Sequence, residues 1–141
     1  MLTRAFALTA ILISALGCDS YGSGSGTYGT SPSGSGATKL GFVTQPSNVA
    51  AGAVMAPAVR VAIQNTNGVT VASSMATVTI GITPGTGTTG ATLSGTVTRP
   101  AVSGIATFND LTITPSGTGY SLTATSSGLT SATSTLFAVT P

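Results

Sequence analysis

Val59-Arg60-Val61-Ala62-Ile63-Gln64 alternates branched apolar residues with polar or small ones, and Asn65-Thr66-Asn67-Gly68 follows it directly. A period of two with Val and Ile on one side describes a strand with a buried face and a wet face. The Asn-Gly pair that ends the next four residues is a turn signal leading into Val69 and Val71. The same period recurs downstream. Val78, Ile80 and Ile82 alternate with Thr77, Thr79 and Gly81 until Pro84-Gly85 breaks the run. Leu93 and Val97 flank Gly95, and Pro100 ends that pairing or marks an edge. Ile105–Phe108 continues through Asn109-Asp110 to Leu111 and Ile113; Tyr120, Leu122 and Ala124 make a further inward face, and Phe137 and Val139 lie in the last strand. Helical spacing is missing from residues 39–141. The pattern predicts an all-β fold, a β-sandwich of about seven or eight short antiparallel strands with turns roughly every 8–12 residues.

Polarity in this chain is carried by hydroxyls. Of 141 residues, 27 are Thr and 18 are Ser, whereas only 4% are charged. An average soluble protein has roughly 25% charged residues. The charged set is Arg4, Lys39, Arg60, Arg99, Asp19 and Asp110, with no His and no Glu. Two isolated acids and no imidazole exclude a carboxylate pair, a Ser-His-Asp triad and a clustered metal site, so the chain is expected to be non-enzymatic and to use no cofactor. Three basic residues beyond the N-terminal stretch are too few for the roughly six or more phosphates a DNA-binding protein neutralises, and no nucleic-acid partner is expected.

Three further patterns bear on chemistry. Gly24, Gly26 and Gly29, and again Gly85, Gly87 and Gly90, satisfy the G-x-G-x-x-G spacing of dinucleotide sites. That motif works by aiming a helix N-terminus at phosphates, and neither copy opens a helix: the first lies in a Gly/Ser run, and Ala91–Thr98 after the second alternates as a strand. A loose hairpin loop is the reading for residues 85–90, and Tyr21 and Tyr28 are ordinary spacer tyrosines. Asp110 beside Asn109 offers oxygen ligands, yet one carboxylate is thin for a calcium ion that takes about six to eight oxygens; side chains capping their own turn fit better. Arg60 and Arg99 are expected as solubilising charges at outward or edge positions. Tyr120 follows Gly117-Thr118-Gly119 and either returns its hydroxyl to the backbone as a tyrosine corner or packs as a plain core residue.

Ahead of the strands stand two segments of different character. Residues 1–17, MLTRAFALTAILISALG, combine a basic start at Arg4, an apolar run over Ala5–Leu16 and a small closing residue, the layout of a secretory signal peptide cleaved after Gly17. Twelve residues, rich in Ala, Leu and Ile, are too few for a permanent span of a bilayer core about 30 Å thick. Residues 19–38 read DSYGSGSGTYGTSPSGSGAT and have the composition of a flexible linker, with a random-coil span of roughly 22–27 Å. Between them lies Cys18, the only cysteine. It has no internal disulfide partner, and its place at the cleavage point suggests lipidation, with a free thiol as the alternative.

Two resemblances sharpen this outline. Ala15-Leu16-Gly17-Cys18 resembles a bacterial lipoprotein signal, with Ala15 where Leu is commonest, and the resemblance implies acylation of Cys18 and attachment to a membrane. Phe42-Val43-Thr44-Gln45-Pro46-Ser47, Ala56-Pro57-Ala58-Val59, Gly104-Ile105-Ala106-Thr107-Phe108 and Gly117–Ala124 together resemble bacterial immunoglobulin-like repeats of invasin- and intimin-type surface proteins. That resemblance implies an immunoglobulin-like sandwich over residues 39–141, here in one copy, in a protein exported to the bacterial cell envelope. Its core would rest on aliphatics with Phe42, Phe108, Tyr120 and Phe137.

The organisation expected is therefore a signal peptide (1–17), a lipidation site and linker (18–38) and one domain (39–141). The expected role is structural or display, at the periplasmic or cell-surface side of a membrane. The alternative is an adhesin-like binding module that recognises glycan or protein through its loops or an exposed strand edge.

Overall fold

The computed structural model describes residues 36–141. Every regular element among them is a β-strand. The first six are β1 (Lys39–Thr44), β2 (Val49–Ala50), β3 (Val59–Gln64), β4 (Thr77–Ile82), β5 (Thr92–Ser94) and β6 (Thr98–Pro100). The rest are β7 (Ile105–Phe108), β8 (Thr112–Thr114), β9 (Gly117–Tyr120), β10 (Leu122–Thr125), β11 (Ala132–Thr133) and β12 (Phe137–Thr140). They form small sheets ordered β1-β3-β7, β11-β10-β4-β6, β2-β12-β9 and β5-β8.

One apolar cluster unites these sheets. Val59, Val61 and Ile63 of β3 are fully buried, as their alternation predicts, and share the cluster with Val78, Ile80, Phe108, Leu111, Ile113, Tyr120 and Leu122. Phe137 is buried against Tyr120 with ring centroids 5.9 Å apart, while Phe42 packs from the margin. At roughly 25 cal/mol per Å² of apolar area, this burial is the main favourable term for a fold whose described residues form one ion pair. Thr hydroxyls meet one another across strands instead: Thr79 and Thr98 at 3.1 Å, Thr92 and Thr114 at 3.1 Å, Thr83 and Thr123 at 2.8 Å.

The structure differs from the sequence reading in four respects. First, the described residues hold twelve short strands where seven or eight were expected. Residues 117–125 break at Ser121, whose N–H donates to the Thr86 hydroxyl and whose carbonyl accepts from Thr83 N at 2.8 Å. Tyr120, Ser121 and Leu122 are consecutively buried, so the two-residue alternation stops there. Second, the stretch expected as one strand from Ala91 to Thr98 is two. Gly95 turns at φ +104°, and a Cβ there would lie 2.3 Å from the Asp110 carbonyl oxygen. The chain leaves its pairing with β8 at that point and joins β4. Third, β2 runs parallel to β12 through Val49–Val139 and Ala50–Thr140, so the strands are not all antiparallel. Fourth, Ala62, expected on the wet side, is fully buried. It pairs with Gly41, across which the Gln64 side chain lies, so a longer neighbour shields a methyl-sized one. Pro100 does occupy the edge strand β6, where its missing N–H costs no ladder bond.

Candidate functional site

Gly17 and Cys18 lie outside the described residues, as do the signal peptide and nearly all of the linker. Among the described residues no helix is long and apolar enough to cross a membrane, and no group of three or more His, Cys, Asp or Glu is gathered. The loop and the charged side chains singled out from sequence fall in three places.

The first is the Gly-rich segment Ile82–Ala91, which encloses a concavity of about 430 Å³. It connects β4 to β5, which lie in different sheets, so it is not a hairpin loop. A phosphate cradle needs free backbone N–H groups. Here Thr83 N donates to Ser121 O, Thr86 N to Thr83 O, Gly87 N to Gly119 O and Ala91 N to Thr88 O. Thr88 Oγ1 donates to Ser116 O at 3.0 Å. Four backbone donors of the segment are thus spent on the protein, the loop opens no helix, and Gly87 presses against the Tyr120 ring, where a Cβ would approach to 2.2 Å.

The second place holds two of the four charged residues among those described. Arg99 Nη2 donates to Asn109 Oδ1 at 3.0 Å and pairs with Asp110 Oδ2 at 3.3 Å. The same Asp110 oxygen accepts from Thr96 Oγ1 at 2.6 Å and Thr96 N at 3.1 Å. The Thr96 hydroxyl is the main reason that the Asp110 carboxyl is held below its ordinary pKa. Desolvation opposes this, and the Thr96 N–H and Arg99 add to the lowering. Asn109 and Asp110 therefore do not cap their own turn. They clamp the β5–β6 bend, which sequence spacing does not bring together with them. Arg99, expected as a solubilising charge, is a clamp residue on edge strand β6 with its side chain 32% exposed.

Arg60 is the outward charge expected of it. It projects from β3, the central strand of its sheet, opposite Thr107 of β7. With Arg99, Pro100, Val102, Ser103 and Ile105 it lines an open concavity of about 480 Å³. The wall is shaped by the tight turn Val102–Ile105, closed by Val102 N to Ile105 O at 2.9 Å and Ile105 N to Val102 O at 3.0 Å. Ser103 at φ +50° and Gly104 at φ +75° supply the two left-handed positions such a turn requires. This concavity was not legible in the sequence, because Arg60 of β3 meets the Arg99–Thr107 segment only in space.

No family model and no curated protein matches this chain. Among solved structures it is similar to a beta-glycosidase from Bacteroides vulgatus, with a TM-score of 0.53 and 13% identity. The likeness covers 76% of this chain and 15% of that one, and at such identity it shows a shared β-rich fold alone.

Proposed function

We propose that the chain is an exported, lipid-anchored envelope protein that displays one immunoglobulin-like β-sandwich domain in a structural role. The observation that carries this reading is the order Arg4, apolar run, Ala15-Leu16-Gly17-Cys18 and Gly/Ser linker directly ahead of an all-β unit. Signal peptidase would remove residues 1–17, and Cys18, newly N-terminal, would take the acyl chains. Stable anchoring generally needs more than one such chain, at about 0.8 kcal/mol per buried CH₂. The linker would then hold the domain clear of the headgroups.

Three features support the immunoglobulin-like sandwich within this proposal. Taken together, β9 and β10 pair with β12 and β11 on one side and with β4 on the other, while β3 pairs with β1 and β7. The first strand region divides between the two sides, because β1 joins β3 and β2 joins β12 in parallel. The Tyr120 hydroxyl returns to the backbone five residues upstream. The non-enzymatic reading rests on a sequence without His or Glu and on one described acid that is committed to a clamp.

Intact mass of the full chain extracted from bacterial membranes tests the anchor. Loss of residues 1–17 with an added acyl mass, abolished by Cys18→Ser, is the expected result. Recovery of the uncleaved chain from cytosol would overturn it.

A further inference from the structure

We infer that the concavity around Arg60 binds the carboxylates of an acidic polysaccharide. The argument begins with charge. Among the described residues the charged side chains are Lys39, Arg60, Arg99 and Asp110, and two of the three cations line one concavity. Asp110 does not line it but pairs with Arg99 and Thr96, so Arg99 is already neutralised and the anion-binding role falls to Arg60. Arg60, by contrast, is exposed and makes no hydrogen bond or ion pair among the described residues, and its cross-strand partners Thr44 and Thr107 carry no charge.

The surroundings of Arg60 favour an anion. Pro100, Val102 and Ile105 give apolar walls, and Val102 is 74% exposed. A cavity lined by charge of one sign with low-dielectric walls focuses the field on an incoming counter-charge. The guanidinium fork fits a carboxylate with two parallel N–H···O bonds. Ser103 and Thr107 line the same concavity, and their hydroxyls suit the ring hydroxyls of a sugar that carries the acid. The concavity lies open on the outer side of β3 and β7, so a polymer can lie across it without threading an end.

A single exposed Arg–carboxylate contact is weak. A polymer offers each copy many equivalent carboxylates, so rebinding along the polymer raises retention above that of one contact. The inference stands on the domain alone and survives if Cys18 proves not to be acylated.

The test is interferometry of the full chain on sensors coated with polygalacturonate, dextran or poly-L-glutamate. Binding to polygalacturonate alone, weakened by salt, is expected. Arg60→Gln should lower the apparent affinity about two- to fivefold per contact, with Arg60→Lys between, because Lys keeps the charge and loses the fork. Lys39→Gln removes the same charge elsewhere and should leave affinity unchanged. Unchanged thermal midpoints would confirm that these variants fold. Equal retention on dextran, no retention at all, or equal losses from Lys39→Gln and Arg60→Gln would overturn the site. Equal retention on poly-L-glutamate would overturn the assignment to a polysaccharide.

Discussion

The Tyr120 hydroxyl donates to the Pro115 carbonyl oxygen at 2.7 Å while its ring is wholly buried against Phe137 and beneath Gly87. One side chain thus fills the core and pins the chain entering β9. Of the two sequence readings, the backbone-returning tyrosine is the one found.

Tyr120→Phe keeps the ring and removes the donor, leaving a carbonyl without its partner. A loss of about 0.5–1.5 kcal/mol is expected. For a domain of this size that is a fall in Tm of about 4–8 °C per kcal/mol by calorimetry. Tyr120→Ala also opens a cavity and should cost about 3–5 kcal/mol. A phenylalanine variant melting with the parent would show that the hydroxyl contributes nothing.

Two glycines in one loop separate backbone strain from steric conflict. Gly85 has φ +79° and open space where a Cβ would point; Gly87 has φ +70° and the Tyr120 ring there. Gly85→Ala should cost only the left-handed penalty, about 1–2 kcal/mol. Gly87→Ala adds overpacking of roughly 1–3 kcal/mol more. Equal urea midpoints for the two variants would contradict the close approach over Tyr120.

What the sequence revealed and what it hid divide along a physical line. Alternation reports burial where a strand has one neighbour layer, and so Val59, Val61, Ile63, Val78 and Ile80 were legible. It does not report which strand a residue pairs with. Leu93 and Val97 look like one run because the chain changes sheets at a single residue, Gly95, which turns at φ +104° where a Cβ would meet the Asp110 backbone. Asn109-Asp110 read as a self-capped turn because the partners, Thr96 and Arg99, lie 10 to 14 positions away. The proposed anchor at Cys18 is read from a linear motif alone, whereas the Arg60 concavity forms only when β3 meets the Arg99–Thr107 segment.

Asp110 gives the domain an acid limb. Its folded pKa is depressed, so the stabilisation is present above the unfolded value, about 3.9, and is lost as pH falls through the lower folded value. The sequence has no His, so no side chain changes charge between about pH 5 and 8, and stability should be flat there. Urea midpoints measured from pH 8 to pH 2 should hold level and then fall on the acid side. In Asp110→Asn that fall should shrink. A fall as steep in the variant as in the parent would assign the acid limb to another group.

Ser134 offers the last test, because it repairs the break between β11 and β12. Its side chain is nearly buried, its Oγ accepts Leu122 N at 2.9 Å and donates to Thr135 O at 2.9 Å, and its own N–H donates to Leu122 O at 2.8 Å. The hydroxyl thereby stands in for a ladder acceptor that the irregular strand does not present to β10. Ser134→Ala leaves the Leu122 N–H buried without an acceptor and should cost about 1–3 kcal/mol. Hydrogen exchange locates the effect: the Leu122 amide should lose protection, while Ile63 in the β1-β3-β7 sheet should change only as far as global stability does. Ser134→Thr keeps an oxygen at the same position and should restore part of the protection. An alanine variant in which Leu122 stays as protected as in the parent would mean that a backbone carbonyl already serves that amide.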